Sequence, residues 1–185
     1  MPRGSNEKIN VEFVLNGEHV RLLQTDPEQT LNDYLRDEIG KTGTKLCCGI
    51  GVCRACTVAI QEKSQSTPEP IRSCVTPLSA INGKEVVTVE GLAKGDTLHP
   101  LQKAFLENFS FQCGYSTPGF LMASYCLIEK LRSNPIPRAQ IDAAIQDAVG
   151  QHICRCTGYV RYYKAIKQVI LETPGLIVGN GARSI

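Results

Sequence analysis

The segment CCGIGVCRACTV, which spans Cys47–Val58, decides how the first half of the chain folds. Its last three cysteines follow the spacing Cys-x4-Cys-x2-Cys, and one more cysteine lies farther on in RSCVTPL. The four are Cys48, Cys53, Cys56 and Cys74. Cysteines at this spacing bind plant-type [2Fe–2S] clusters. The segment therefore predicts a loop that binds such a cluster.

The other residues of this loop suit an anionic cluster. Gly49 and Gly51 supply the backbone freedom that lets N–H groups approach the cluster sulfurs, and Lys45 and Arg54 add positive charge nearby. Zinc is a weaker alternative, because zinc sites usually show two close pairs of ligands whereas here the fourth cysteine is alone. A disulfide network is weaker still. Cys47 precedes the loop at the wrong spacing and is interpreted as a non-ligand.

The pattern around the loop predicts a small α+β domain. VEFVLNGEHVRLL alternates apolar and polar residues on both sides of Asn16-Gly17, which predicts a hairpin. DPEQTLNDYLRDEIG predicts a helix that ends at Gly40. Its apolar face comprises Leu31, Tyr34, Leu35 and Ile39. CTVAI and EVVTVEGL are short and β-branched, so we expect them to be further strands of the same sheet.

From about Gly95 the apolar residues follow a helical period, which predicts a bundle of four short helices. The four stripes are Leu98, Leu101, Phe105 and Phe109; Phe120, Ala123, Leu127 and Leu131; Ile141, Ile145 and Val149; and Tyr162, Ile166 and Val169. Pro100 and Pro118 suit first helical turns. The tail TPGLIVGNGARSI has no helical pattern and is expected to lie along a surface. The predicted domains are 1–92 and 93–173, followed by a tail, 174–185.

Composition excludes several classes of function. The 185 residues carry 20 Lys and Arg against 18 Asp and Glu, without a basic run, so the charge pattern of a nucleic-acid-binding protein is missing. No stretch is as apolar as a membrane span, and MPRGSNEKIN lacks the apolar core of an export signal. We expect a cytoplasmic chain, with co-export to the periplasm beside a signal-bearing partner as the alternative. Nine cysteines in a reducing compartment favour metal binding.

A second cysteine constellation lies in the helical half. Cys113 comes just before the second predicted helix, and Cys154 and Cys156 come just before the fourth. Helix N-termini offer unpaired N–H groups and a positive dipole end, so two of them aimed at one anionic centre are electrostatically favourable. A metal cluster within the helical half is therefore expected.

With both constellations identified, the chain resembles the iron–sulfur subunits or domains of the molybdenum hydroxylases, the xanthine oxidase and aldehyde oxidoreductase family. The resemblance runs from VEFVLNGE through CCGIGVCRACTV and RSCVTPL to QCGYSTPGFLM and HICRCTGY. It implies a plant-ferredoxin-like β-grasp domain followed by an all-α four-helix bundle, each with one [2Fe–2S] cluster. It also implies a large molybdopterin-binding subunit as electron donor and an FAD subunit or cytochrome c as acceptor.

The resemblance assigns roles to particular residues. Cys48, Cys53, Cys56 and Cys74 match the ligands of the ferredoxin-like cluster, and Cys113, Cys154 and Cys156 match three ligands of the bundle cluster. Gln112 and Cys156 match residues that contact the pterin. Two positions depart from the family: Ser116 stands where the fourth bundle ligand is a cysteine, and Arg54 stands where glycine is usual.

Ser116 leaves the chemistry of the bundle site open. Serine can bind iron as an alkoxide, and a hard oxygen ligand should favour the oxidised state and lower the reduction potential. The alternatives are a cluster held by three thiolates and water, an introduced substitution, and a site that has lost its metal. Cys126 lies nearly three helical turns beyond position 116, so we expect it to be a buried core thiol instead. His152 is close enough to Cys154 to tune the cluster, although a packing role is equally compatible.

The sequence thus predicts the electron-transfer subunit of a molybdopterin-dependent oxidoreductase, with no catalytic or substrate site of its own. The chain has no glycine fingerprint for a dinucleotide and is too short for a molybdopterin domain. One rival is a free-standing ferredoxin, which would need only the first half. Another is an interaction protein with metal-free sites.

Overall fold

The computed structural model describes residues 7–62 and 67–178 of the chain. The start of MPRGSNEKIN and the end of the tail, 179–185, lie outside the described residues. The fold is α+β, as expected: a five-stranded sheet carries most of the first half and four helices carry the second. Within the described residues no helix is long and apolar enough to cross a bilayer.

The sheet forms around the predicted hairpin. Strands β1 (Ile9–Leu15) and β2 (Glu18–Thr25) pair antiparallel, and both Asn16 (φ 52°) and Gly17 (φ 87°) adopt the left-handed conformation that a two-residue hairpin turn needs. Strands β3 (Thr57–Gln61), β4 (Glu69–Arg72) and β5 (Glu85–Val87) complete the order β2-β1-β5-β3-β4, in which β1 and β5 are parallel. Cys74 lies in the short turn, Ser73–Val75, that directly follows β4.

The helix that packs on this sheet differs from the prediction in its geometry. One α-helical turn, α1 (Leu31–Asp33), continues as a π-helical turn over Tyr34–Glu38, in which the N–H of Ile39 bonds to the carbonyl of Tyr34. Leu31 and Leu35 are fully buried on the sheet, whereas Ile39 is partly exposed. A π turn holds more residues than an α turn, so Ile39 falls off the predicted apolar face.

The second half contains helices α2 (Pro100–Glu107), α3 (Thr117–Ser133), α4 (Ile141–Val149) and α5 (Val160–Glu172). Their buried faces form one core and confirm three of the four predicted stripes in full. The apolar stripe predicted for α2 was too long, because its first and last members, Leu98 and Phe109, are exposed. Pro100 begins this helix, and Phe109, with φ 48°, lies just beyond its end.

The expectation of a surface tail is wrong for its first part. Leu176 and Ile177 are buried in the core of the helical half. Ile177–Val178 forms strand β7, which pairs parallel with β6 (Ile136–Pro137) in the link between α3 and α4. A strand of two apolar residues is too short to show a periodic pattern, so its burial could not be predicted from helical periodicity.

The two halves are packed against each other along α3. Ala59 of β3 and Leu92 belong to the core of the helical half. Gly119 of α3 lies against the backbone of the cluster-binding loop, since a Cβ atom at this position would stand 2.4 Å from the carbonyl oxygen of Arg54. This close approach brings the N-terminus of α3 to the cysteine loop of the first half.

The buried tail predicts a stability effect. Leu176→Ala should lower the free energy of unfolding by about 2–5 kcal/mol, because it leaves a cavity in the core of the helical half. Val178→Ala is the matched control: Val178 is 60% exposed two residues away, and its truncation should change stability by less than about 0.5 kcal/mol. Denaturant unfolding of both variants measures the difference, and equal effects would contradict burial of the tail.

Candidate metal centres

The predicted ligands of the first site form two thiol pairs. In the first pair, the N–H of Cys53 donates to Sγ of Cys48 at 3.4 Å, and the two side chains are themselves hydrogen-bonded. In the second pair, Cys56 and Cys74 are close enough for Cys74 to shift the pKa of Cys56. Cys53, Cys56 and Cys74 are buried, while Cys48 is partly exposed and Cys47 lies at the surface.

The backbone of the loop explains how it surrounds the thiols. Gly49 (φ 67°) and Gly51 (φ 74°) are in the left-handed region that favours glycine, and so is Arg54 (φ 61°). Hydrogen bonds from the N–H groups of Cys53 and Ile50 lower the pKa of Cys48 to about 6. Backbone donors thus favour a thiolate at Cys48, as a metal ligand requires.

Cys56, in the second pair of this site, is affected in the opposite way. Burial raises the pKa of Cys56 to about 12, and the neighbouring Cys74 and Cys53 add to the shift. Without a cation, a buried thiolate is unfavourable at this place because desolvation penalises the charged form. Bound iron would reverse that penalty, since a coordinating thiol is deprotonated outright.

The predicted ligands of the second site also form two pairs. Sγ of Cys156 and Sγ of Cys113 are 3.5 Å apart, although 43 residues separate them in the chain. Cys154 accepts hydrogen bonds from Oγ1 of Thr157 at 3.2 Å and from the hydroxyl of Ser116. Burial raises the pKa of Cys154, but these hydrogen bonds outweigh it, so the pKa is lowered.

Ser116 lies within this site. It is the residue before α3, yet its side chain caps no N–H group of the helix. Its hydroxyl contacts Cys154 instead, and it lies 3.5 Å from the hydroxyl of Tyr162, which in turn is 2.8 Å from Oγ1 of Thr117. Tyr162 is buried and stacked on Phe120. A rigid aromatic pair therefore supports the position at which the fourth ligand was expected.

The donor sets fit two-iron clusters better than single metal ions. Among residues 7–62 and 67–178, no three His, Cys, Asp or Glu side chains converge on one point as a site for a lone ion requires. In a [2Fe–2S] cluster each iron takes only two protein ligands, so pairs are the expected arrangement. Both sites show two pairs, one of which contains the Ser116 hydroxyl in place of a thiol.

The other predicted residues are distributed between surface and core. Gln112, Cys113 and Cys156 are all exposed, so they form an open edge of the second site. Cys126 is buried in α3, where burial raises its pKa to about 12, which confirms a core thiol. His152 is buried against Phe120, and burial lowers its pKa to about 4.

Sequence reasoning missed the contacts that join the two sites. The N–H of Ile153, next to Cys154, donates to the carbonyl of Cys53 at 3.1 Å. The hydroxyl of Tyr115 donates to the carbonyl of Leu46. Two further contacts run from the first loop to the segment before Cys154: Arg54 to Gln151, and Thr57 Oγ1 to Nε2 of His152 at 3.2 Å. We call these four contacts the inter-site seam. No local pattern signals them, since each joins residues at least 69 positions apart.

Comparison with known proteins identifies both halves. Residues 13–79 match the model of the 2Fe-2S iron-sulfur cluster binding domain, and residues 88–167 match that of the [2Fe-2S] binding domain. Xanthine dehydrogenase from Emericella nidulans is 42% identical over 153 residues, which are 80% of this chain and 11% of that protein. Aldehyde oxidase 1 from Rattus norvegicus is 42% identical over 152 residues, with the same coverage. The chain thus spans about a ninth of these relatives.

Solved structures show the same fold. Quinoline 2-oxidoreductase from Pseudomonas putida 86 is 32% identical with a TM-score of 0.74, and the match covers 92% of this chain and 94% of that one. The aldehyde oxidoreductase from Desulfovibrio gigas is 30% identical with a TM-score of 0.75, covering 91% of this chain but 18% of that one. The chain is therefore similar to a whole chain in one structure and to a part of a longer chain in another.

The seam predicts a second stability effect. Thr57→Val keeps the shape of a buried side chain but removes the hydroxyl, which donates to the carbonyl of Arg54 at 2.7 Å and contacts His152. The variant therefore removes the hydroxyl that the buried Nε2 of His152 contacts. We expect a loss of about 1–3 kcal/mol in unfolding free energy. Thr42→Val, at an exposed threonine, is the control, and an equal loss there would refute the role of the buried hydroxyl.

Proposed function

Because the chain belongs to the iron–sulfur subunits and domains of the molybdenum hydroxylase family, we propose that it is the electron-transfer subunit of a multi-subunit molybdopterin-dependent hydroxylase or dehydrogenase. Its two binding domains hold two [2Fe–2S] clusters. When bound, each cluster accepts and releases one electron. The proposal rests on one observation. The proposed ligands of each site lie in pairs, on loops that the inter-site seam holds against each other.

The proposed ligands follow from the pairs. Cys48 and Cys53 would hold one iron of the first cluster, with Cys56 and Cys74 on the other. Cys113 and Cys156 would hold one iron of the second cluster, with Cys154 and Ser116 on the other. The four helices would form the four-helix bundle of the second domain, within boundaries near 93–173, and the first domain would be the β-grasp unit, 1–92.

The exposed edge of the second site supports a docking role toward the electron donor. Gln112 and Cys156 lie at the surface, where a pterin held by a large partner could reach them. Around them Tyr115, Ile153 and Val160 expose apolar surface. Exposed apolar residues beside a redox site are typical of a protein interface. We propose that this edge faces the large molybdopterin subunit and that the first site faces an FAD subunit or cytochrome c.

The match to a whole chain of quinoline 2-oxidoreductase supports a separate subunit. A cytoplasmic complex is the proposed location, with co-export to the periplasm beside a signal-bearing partner as the alternative.

Metal content and partner identity test this function together. The native complex should contain about four irons and four acid-labile sulfides per chain, since each binding domain takes one two-iron cluster. A large subunit with a bound pterin should co-purify with the chain. Colorimetric iron and sulfide analysis, with mass spectrometry of the partner, makes the measurement. A coloured monomer without a partner would indicate a free ferredoxin, and a colourless one a metal-free interaction protein; either result would refute the proposal.

Replacing the hydroxyl ligand tests the second cluster. Ser116→Cys should raise the reduction potential of the second cluster and shift its paramagnetic resonance signal, because a thiolate stabilises ferric iron less than a hard alkoxide does. The first cluster, whose ligands are unchanged, is the internal control. If both signals and both potentials stay where they were, Ser116 is a neighbour of the cluster and not a ligand.

A further inference from the structure

We propose that Arg54 is a positioning residue for electron transfer between the two clusters. Its guanidinium binds Gln151 across the inter-site seam and holds a fixed positive charge between the two cluster-binding loops. The inference rests on the proposed function, because it concerns the two clusters that function requires. It goes beyond that function by assigning a role to a loop residue that is not itself a proposed ligand.

The backbone of Arg54 is held in a conformation that its side chain disfavours. Its φ of 61° lies in the left-handed region, which costs an L-residue about 1 kcal/mol relative to glycine. The conformation is maintained because the carbonyl of Arg54 accepts bonds from both N–H and Oγ1 of Thr57, at 3.2 and 2.7 Å. Gly119 also lies directly against this carbonyl. With the peptide fixed, the point at which the arginine side chain leaves the loop is fixed as well.

The arginine side chain contacts the segment that carries the second ligand set. Nη2 of Arg54 donates to Oε1 of Gln151, three residues before Cys154. The same segment is bound to the first loop through Ile153 and His152. Arg54 itself follows the ligand Cys53 directly. Its side chain therefore spans from one ligand loop to the other.

The charge of Arg54 is not neutralised by a carboxylate in either loop. The segments 41–61 and 150–161 contain no Asp or Glu, and none of the ion pairs found among the described residues includes Arg54. Arginine stays protonated throughout the accessible pH range, so this charge is permanent.

A permanent cation beside two anionic clusters has a defined electrostatic consequence. Each cluster gains one negative charge on reduction, so a nearby positive charge stabilises the reduced form more than the oxidised form. The contact between Arg54 and Gln151 is exposed, so solvent screens part of this interaction without changing its sign. Arg54 should therefore raise both potentials, while its bond to Gln151 keeps the two loops in register.

Four variants of the native complex separate charge from geometry. Arg54→Gln removes the charge and Arg54→Lys retains it. Gln151→Leu retains the charge but removes the bond across the seam. Arg132→Gln is the control, since Arg132 pairs with Glu129 on the surface of α3. Potentiometric titration followed by paramagnetic resonance reports both potentials and the magnetic splitting between the two reduced clusters.

We expect Arg54→Gln to lower the potentials of both clusters, and Arg54→Lys to recover at least half of each shift. Gln151→Leu should weaken the magnetic splitting and move the potentials less than Arg54→Gln does. If the Arg54→Gln protein does not accumulate, Arg54→Gly is measured instead, because glycine suits the left-handed backbone. The same fall in the potentials of both clusters is expected.

The proposal is overturned if removal of the charge leaves both potentials at those of the Arg132→Gln control, or shifts only the first cluster. A merely structural role for Arg54 would change thermal stability without this pattern of potentials. Failure of the proposed function is distinguishable, because the unsubstituted protein would then lack a large partner subunit or show fewer than two cluster signals before any variant is made.

Discussion

The bond from the N–H of Ile153 to the carbonyl of Cys53 is the constraint on which the arrangement of the two sites depends. It joins the backbone of one predicted ligand to the residue before another, across 100 positions of sequence. Backbone groups have little freedom to move once neighbouring turns are fixed, so this bond sets the approach of the loops more firmly than side-chain contacts do. The Tyr115, Thr57 and Arg54 contacts then extend the seam on both sides. Electron transfer between two centres needs such a fixed separation.

The two sites differ in how many of their thiols are buried and in which thiols accept hydrogen bonds. In the first site three of the four thiols are buried, and backbone N–H groups converge on the partly exposed Cys48. In the second site Cys154 is buried and hydrogen-bonded, while Cys113 and Cys156 lie at the surface. Solvent exposure and hydrogen bonds to sulfur are among the factors that set cluster potentials. The protein thus supplies two unlike environments for two clusters of one type.

Ser116 and Arg54, the two residues expected to depart from the family pattern, lie at a predicted ligand position and where the two halves meet. Ser116 is supported by the stacked rings of Tyr162 and Phe120, so its hydroxyl occupies a defined place beside Cys154. Arg54 has a left-handed backbone conformation, and its side chain donates to Gln151, a contact that glycine could not make. Both residues fit the fold, because each is accommodated by contacts in the surrounding structure.

Much of the fold followed from local patterns. The hairpin, the strands and the helices were predictable because alternation, helical period and turn residues act between near neighbours. The spacing of Cys48, Cys53 and Cys56 indicated the first cluster site for the same reason, whereas the ligands of the second site were assigned from the resemblance. The π turn that exposes Ile39, the burial of Leu176, the pairing of Cys113 with Cys156 and the inter-site seam were not predictable. These features depend on which distant segments pack together. Sequence by itself determined which residues could bind clusters; only the tertiary structure decided how they pair and how the two sites face each other, because those contacts form between residues that no local pattern connects.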